Sequence, residues 1–328
     1  MTNRASADRS GVYLKKFLAP IAGALARPDV TDIYINRPGE LWLEAAGGQI
    51  ERVEDPKLDE ATLLRLASQI AALSHQGINR EHPLLSAQLP DGSRIQVVAP
   101  PATRGTMALA IRKHIAPMLT LEDYENAGLF AETGLKQNDK ALLSSLIAER
   151  KYARALSLAV RERKNILIAG GTSTGKTTFL NALLREVPLT ERLILIEDTP
   201  EIEVPHDNCV GLVAVRGALG EARVTANDLV AASLRMRPDR IVLGELRGEE
   251  AFAFLRAVNS GHPGSMTTIH ADSPEGAIEQ LVLLVLQSGT RLDRDDIRHY
   301  IRNTVDLFVQ LGRQSGKRIV EDVMLAPA

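Results

Sequence analysis

Short apolar runs and helical apolar stripes alternate along the chain, and their rhythm changes partway through. Over residues 11–27, Leu14, Phe17, Leu18, Ile21 and Leu25 recur at helical spacing, with Lys15 and Lys16 outside the stripe. Pro20 kinks this helix or opens a second one. A basic amphipathic segment of this kind suits a membrane surface, and equally a face packed on its own domain. Short strands follow at residues 32–35 and 41–44, joined by a Pro38-Gly39 turn. Asp59 caps a helix running to Ser74, with Leu63, Leu66, Ile70 and Leu73 inward and Gly77 just past its end. A Pro90-Asp91-Gly92 turn precedes strands at 94–98 and 107–111. These elements describe a mixed α+β domain over residues 1–130.

Between residues 115 and 139 the chain turns polar and irregular, with Pro117, Gly128 and Gly134, and a linker is expected at 131–140. Residues 141–328 read as a second domain. A helix at 140–150 leads into a buried strand at 165–169, a glycine loop and a helix. Strands at 193–197, 211–216 and 241–243 then alternate with helices at 227–235 and 249–258, before a strand-like run at 265–270. Strands alternating with helices imply a mainly parallel sheet with crossover helices. The expected fold is therefore α/β, with a smaller α+β domain in front.

Composition narrows the classes. With 45% hydrophobic and 24% charged residues the chain resembles a soluble globular protein, and 328 residues suffice for two cores. Lys and Arg total 39 against 41 Asp and Glu, which argues against a broad nucleic-acid surface. Aromatics at 4% provide few stacking platforms for single strands. Cys209 is the sole cysteine; it fits a reducing compartment and a packing role better than a reactive thiol. Arg4, Asp8 and Arg9 interrupt the N-terminus before any signal-peptide core forms, and no uncharged apolar run reaches a membrane span. A cytoplasmic protein with at most peripheral membrane contact is expected.

The densest chemistry lies in the run KNILIAGGTSTGKTTFLNALL from Lys164. Gly170, Gly171, Thr172, Ser173, Thr174, Gly175, Lys176, Thr177 and Thr178 form a phosphate-binding loop in its required strand–loop–helix setting. The glycines let amide hydrogens point inward at phosphate oxygens, and the helix beginning near Lys176 adds its positive dipole end. Lys176 offers an ammonium to the β- and γ-phosphates of ATP, and the Thr177 hydroxyl is placed to ligate Mg2+. Two apolar strands end in acid, LILIEDTPEI at Glu197 and RIVLGELRG at Glu245. Ligands of open parallel sheets lie at the carboxyl ends of the strands, so one carboxylate can serve the magnesium shell while the other deprotonates water. The run GHPGSMTTIHA adds His270 as a γ-phosphate sensor, Thr267 and Thr268 as hydroxyls, and His262 without an assigned role. Two histidines and one distant cysteine do not make zinc spacing.

GGTSTGKTT, LILIEDTPE, RMRPDRIVLGELRG and GHPGSMTTIHA together resemble the traffic ATPases of type IV secretion systems, within the wider secretion ATPases. In the first half, LPDGSRIQVVAPP and the strand end Ala110-Ile111-Arg112-Lys113 look similar too. The resemblance implies a RecA-like P-loop NTPase domain and a homo-hexameric ring beside inner-membrane components of a secretion channel. It implies ATP between the N- and C-terminal domains, with turnover moving one against the other. It assigns phosphate binding to residues 170–178, the catalytic acidic role to Glu197, the second acidic role to Glu245 and the histidine-box role to His270. Arg112 is the match for an arginine brought by the N-terminal domain, with Arg94 and Arg104 behind it; such an arginine stabilises transition-state charge. Residues 208–212 lack the basic side chain this family often carries there, leaving that work to Arg216, Arg235 or Arg237. RMRPDR and GELRG favour the conjugation and effector-export branch, and one cysteine excludes the zinc module of pilus-assembly motors.

The competing readings are a ring-shaped nucleic-acid translocase, a small-molecule kinase and a non-hydrolytic scaffold. Near-zero net charge opposes the first. The second needs an acceptor pocket and an arginine-rich lid, neither of which is visible. Paired Glu197 and Glu245 oppose the third.

Overall fold

The computed structural model describes residues 16, 18–114, 120–126, 128, 130, 138–215 and 221–326. Six strands form a first sheet: β1 (Val30–Ile35), β2 (Glu40–Ala45), β3 (Ile50–Glu54), β4 (Leu84–Gln88), β5 (Arg94–Val98) and β6 (Ala108–Arg112), in the order β3-β2-β1-β6-β5-β4 with antiparallel neighbours. Helix α1 (Ala22–Ala26) follows a 3-10 turn containing Pro20, and α2 (Glu60–Leu73) begins as the Asp59 carboxylate accepts the Thr62 amide at 2.7 Å.

Period-two alternation splits this sheet into two apolar faces. Ile33, Ile35, Val97, Leu109 and Ile111 pack with Leu63, Leu66 and Ile70 of α2. Ile21 joins that core, and Leu18 and Leu25 lean on it. The described part of the N-terminal amphipathic stripe is therefore covered by its own domain; Leu14 and Phe17 lie outside the described residues.

The second half carries α3 (Leu121–Asn126), α4 (Asn138–Ala148), α5 (Tyr152–Arg161), β7 (Ile166–Gly170), α6 (Lys176–Leu184), β8 (Leu193–Glu197), β9 (Cys209–Val213), α7 (Ala226–Ser233), β10 (Arg240–Leu246), α8 (Glu250–Asn259), β11 (Met266–Ile269), α9 (Pro274–Gln287), α10 (Arg294–Thr304), β12 (Leu307–Gln314) and β13 (Lys317–Leu325). Its seven-stranded sheet runs β13-β12-β7-β11-β10-β8-β9. It is parallel throughout except for the β12–β13 hairpin. The α/β fold with a mainly parallel sheet and an α+β domain before it is thus present. The expected strand at 211–216 occupies Cys209–Val213; Arg216 and most of the expected 131–140 linker lie outside the described residues.

Besides a core of its own on each side, the molecule has one core that the two sheets share. Tyr34, Val98, Ala108 and Ala110, from the second face of the first sheet, belong to one apolar cluster with Leu167, Ile194, Leu212, Leu229 and Leu243. Arg192, 1% exposed, pins the same seam. Its guanidinium stacks on Tyr34 with 4.1 Å to the ring centroid. It donates to Asn36 Oδ1 at 2.7 Å, Asn208 Oδ1 at 2.5 Å and the Met236 carbonyl at 3.0 Å. Among the described residues, no helix is long and apolar enough to cross a membrane.

Candidate nucleotide site

Strand β7 is buried along its whole length and delivers the chain to Gly170 at the carboxyl edge of the sheet. A Cβ on Gly170 would stand 2.6 Å from Thr174 Oγ1 and 2.9 Å from the Leu311 carbonyl, so glycine is required where loop and sheet meet. The Thr174 hydroxyl donates to the Gly171 carbonyl at 2.9 Å and closes the loop. Gly175 then turns with φ +90 and starts α6 at Lys176. Arg318, on the β13 side of the hairpin, lies along this turn, with its Cδ 3.0 Å from where a Gly175 Cβ would be. Loop amides and the start of α6 face a cleft of about 530 Å³ lined by residues 172–178, Glu197, Asp198, Glu201, Glu245, Arg247, Thr268, His270 and Arg318.

Lys176 donates to the Gly170 and Gly171 carbonyls at 3.0 and 3.2 Å, and its Nζ lies 3.6 Å from Glu245 Oε1. Desolvation by the walls of the cleft holds its pKa below the ordinary lysine value, opposed by the charge of Glu245. Glu245 Oε1 pairs with His270 Nε2 at 2.8 Å, and Oε2 meets Arg247 Nε. The second acid, the histidine and the loop lysine are therefore assembled around one point.

Glu197 is placed differently. Its Oε1 accepts the amides of Glu201 and Ile202, each at 2.8 Å, and its Oε2 is ion-paired with Arg104. At 3% side-chain exposure, this carboxylate shapes the 198–202 loop more than it faces the cleft. That loop brings Glu201 Oε2 within 3.2 Å of the Thr177 hydroxyl. A hydroxyl at the start of α6 beside a carboxylate oxygen suits a hard cation that takes oxygen ligands, so these residues fit Mg2+.

The N-terminal arginines divide. Arg112 does not line this cleft. It borders a cavity of about 750 Å³ on the first sheet, with Arg94, Lys113, His114, Asp32, Glu44 and Arg237. Arg235 lines a third cavity, again beside Arg94 and Arg112. The shift has a physical cause: β6 pairs with β1 and β5 in the first sheet, and the shared apolar seam holds its Arg112 end away from the phosphate loop. His262 Nδ1 lies 3.0 Å from the Ala257 carbonyl and outside the cleft lining, closing off the end of α8. Burial pushes the Cys209 thiol up to about 11, as a packing residue requires. Sequence reasoning missed Glu201, Arg247 and Arg318. Glu201 stands in the same acidic run as Glu197, whereas nothing local marks Arg318, which reaches the loop through the long-range pairing of β12 with β7.

A buried strand, a glycine loop, a helix start and strand-end acids around one cleft define a P-loop nucleotide-binding protein. The chain belongs to the family described as Type II/IV secretion system protein, whose model matches residues 15–321. It is 40% identical over 329 residues to the type IV secretion system protein VirB11 of Bartonella henselae, covering 94% of this chain and 92% of that one. It is 38% identical over 300 residues to PtlH of Bordetella pertussis, covering 89% and 88%. The crystal structure of the VirB11 ATPase from the Brucella suis type IV secretion system, in complex with sulphate, aligns with a TM-score of 0.90 at 37% identity. That alignment covers 98% of this chain and 96% of the other.

Proposed function

We propose that the chain hydrolyses ATP to ADP and phosphate in this cleft and uses the turnover to drive a type IV secretion system. The observation that carries the reading is the meeting of Lys176, Glu245 and His270 at the mouth of the phosphate loop. Loop amides and Lys176 hold the β- and γ-phosphates, and Arg318 reaches the same polyphosphate from the hairpin. Thr177 and Glu201 would hold Mg2+, which would supply positive charge against the phosphoryl oxygens. Glu245, open to the cleft, takes the proton of the attacking water, and His270 orients its carboxylate. Glu197 holds the loop that completes the metal side. A RecA-like motor of this kind works as a homo-hexamer, cytoplasmic, against inner-membrane partners, with a boundary between its domains at 131–140. Arg112, away from the cleft of its own chain, serves the site of a neighbouring copy.

One experiment tests these assignments together. Lys176→Ala and Arg112→Ala proteins should each release phosphate from ATP at background rates. Mixed in equal amounts, they should regain activity, because some sites then combine an intact loop with an intact neighbouring arginine. Normal turnover by Lys176→Ala alone would remove the cleft from the reaction. A mixture as silent as its components would remove Arg112 from the neighbouring site.

A further inference from the structure

The loop between β5 and β6 runs beside the edge strand of the second sheet. Thr103 bridges Leu212 antiparallel, the Arg104 amide donates to the Gly211 carbonyl at 2.9 Å, and the Val213 amide donates to the Ala102 carbonyl at 3.0 Å. This main-chain pairing fixes where the Arg104 side chain starts. Its stem lies flat on Gly211, where a Cβ would stand 2.3 Å from Arg104 Cδ and 2.7 Å from its Cγ. Glycine at 211 is what leaves the arginine its path. The guanidinium ends beneath the acidic run: Nη1 donates to the Ile202 carbonyl at 2.8 Å, and Nη2 is ion-paired with Glu197 Oε2. The other oxygen of that carboxylate takes the amides of Glu201 and Ile202. Glu201, held by its own backbone, faces the Thr177 hydroxyl.

We propose that Arg104 is a positioning residue for the metal side of the cleft: it braces Glu197, Glu197 sets the 198–202 loop, and that loop sets Glu201 against Thr177. The proposal rests on reading the cleft as a magnesium-nucleotide site. Arg104 is absent from the cleft lining, so its effect passes through the groups it orients. Removing the guanidinium leaves a buried carboxylate without its counter-charge. The Glu197 side chain then leaves its pocket and frees the two amides that shape the loop. The brace also ties the first sheet to the acidic run, since Arg104 comes from the loop between two strands of that sheet.

The test uses the full chain, a fluorescent ADP analogue titrated with and without Mg2+, and phosphate release from ATP. Arg104→Gln should bind the analogue without metal within about twofold of wild type. It should lose most of the tightening that Mg2+ brings, and kcat should fall about 10- to 100-fold, as for other outer-shell losses. Arg104→Lys keeps the charge without the fork and should recover part of both effects. Gly211→Ala places a methyl in the arginine's path and should copy Arg104→Gln with the guanidinium still present. Unchanged metal response in both Arg104→Gln and Gly211→Ala overturns the proposal. So does a parallel fall of metal-free binding and Tm in both, which would mean the arginine merely holds the fold. Wild-type protein that neither tightens with Mg2+ nor releases phosphate overturns the reading of the cleft itself. Normal wild-type behaviour with unaffected variants overturns the Arg104 assignment alone.

Discussion

Arg192→Ala puts the seam between the two sheets to a direct test. The truncation removes the donors to the buried Met236 carbonyl and the half-buried Asn36 Oδ1, while Asn208 Oδ1 keeps the Asn36 amide at 3.0 Å. The buried carbonyl left alone costs about 1–2 kcal/mol, the half-buried Asn36 oxygen about 0.5 kcal/mol, and the stacking on Tyr34 contributes about 2 kcal/mol in a desolvated site. Offsetting this, the variant no longer buries a guanidinium, which returns on the order of 2 kcal/mol. The net loss is about 2 kcal/mol, which lowers Tm by about 4–8 °C in a domain of this size. Differential scanning fluorimetry or calorimetry reads the shift. Arg192→Met keeps the stem over Tyr34 and should lose roughly half as much. A Tm for Arg192→Ala within about 2 °C of wild type would refute the reasoning. The arginine would then lie in the seam without holding it.

Other perturbations address the cleft and the first sheet. Glu245→Gln should bind ATP yet turn it over about 100-fold or more slowly, the scale of a lost general base; nucleotide binding with undiminished phosphate release would move the base elsewhere. Arg318→Ala should weaken ATP and ADP by a similar factor, about tenfold for a lost charge-assisted contact, and unchanged titrations with both nucleotides would exclude the hairpin from binding. Asp32 is buried, with one oxygen lacking a hydrogen-bond partner, and desolvation holds its pKa above the ordinary carboxylate value. A raised folded-state pKa means the folded chain keeps a proton that the unfolded chain releases. Stability therefore falls as pH rises from the ordinary carboxylate range through the folded value. Asp32→Asn should raise Tm at neutral pH and leave it unchanged near pH 2–3, about a unit or more below the ordinary carboxyl value, where the unfolded carboxyl is protonated too; equal Tm values at neutral pH would contradict this.

What could be read in advance was local. The phosphate loop announces itself because the steric need for Gly170 and Gly175 and the buried run before them lie within a few residues. The Asp59 cap and the α2 stripe are legible for the same reason. Strand β3 was missed because its residues are largely exposed and charged, leaving no apolar alternation. The placement of Arg104, Arg112 and Arg318 was not legible, because each depends on pairing between distant segments. Arg104 reaches Glu197 through a bridge to β9, Arg112 is carried off by its own sheet, and Arg318 arrives with a hairpin beside β7. Residues 208–212 carry no basic side chain, and of the substitutes the sequence offers, Arg216 lies outside the described residues while Arg235 and Arg237 border cavities other than the phosphate cleft. Gly211, the residue that gives Arg104 room, belongs to that same segment.

The continuous apolar layer beneath the first sheet bears on how the protein can be handled. A fragment starting at the second half would bare Leu167, Ile194, Leu212 and their neighbours to water where Tyr34, Val98, Ala108 and Ala110 now sit. Such a wide greasy scar drives clumping, so a trimmed catalytic half would come out of expression as aggregate. Co-producing the severed front piece should rescue it, much as a lid restores a jar.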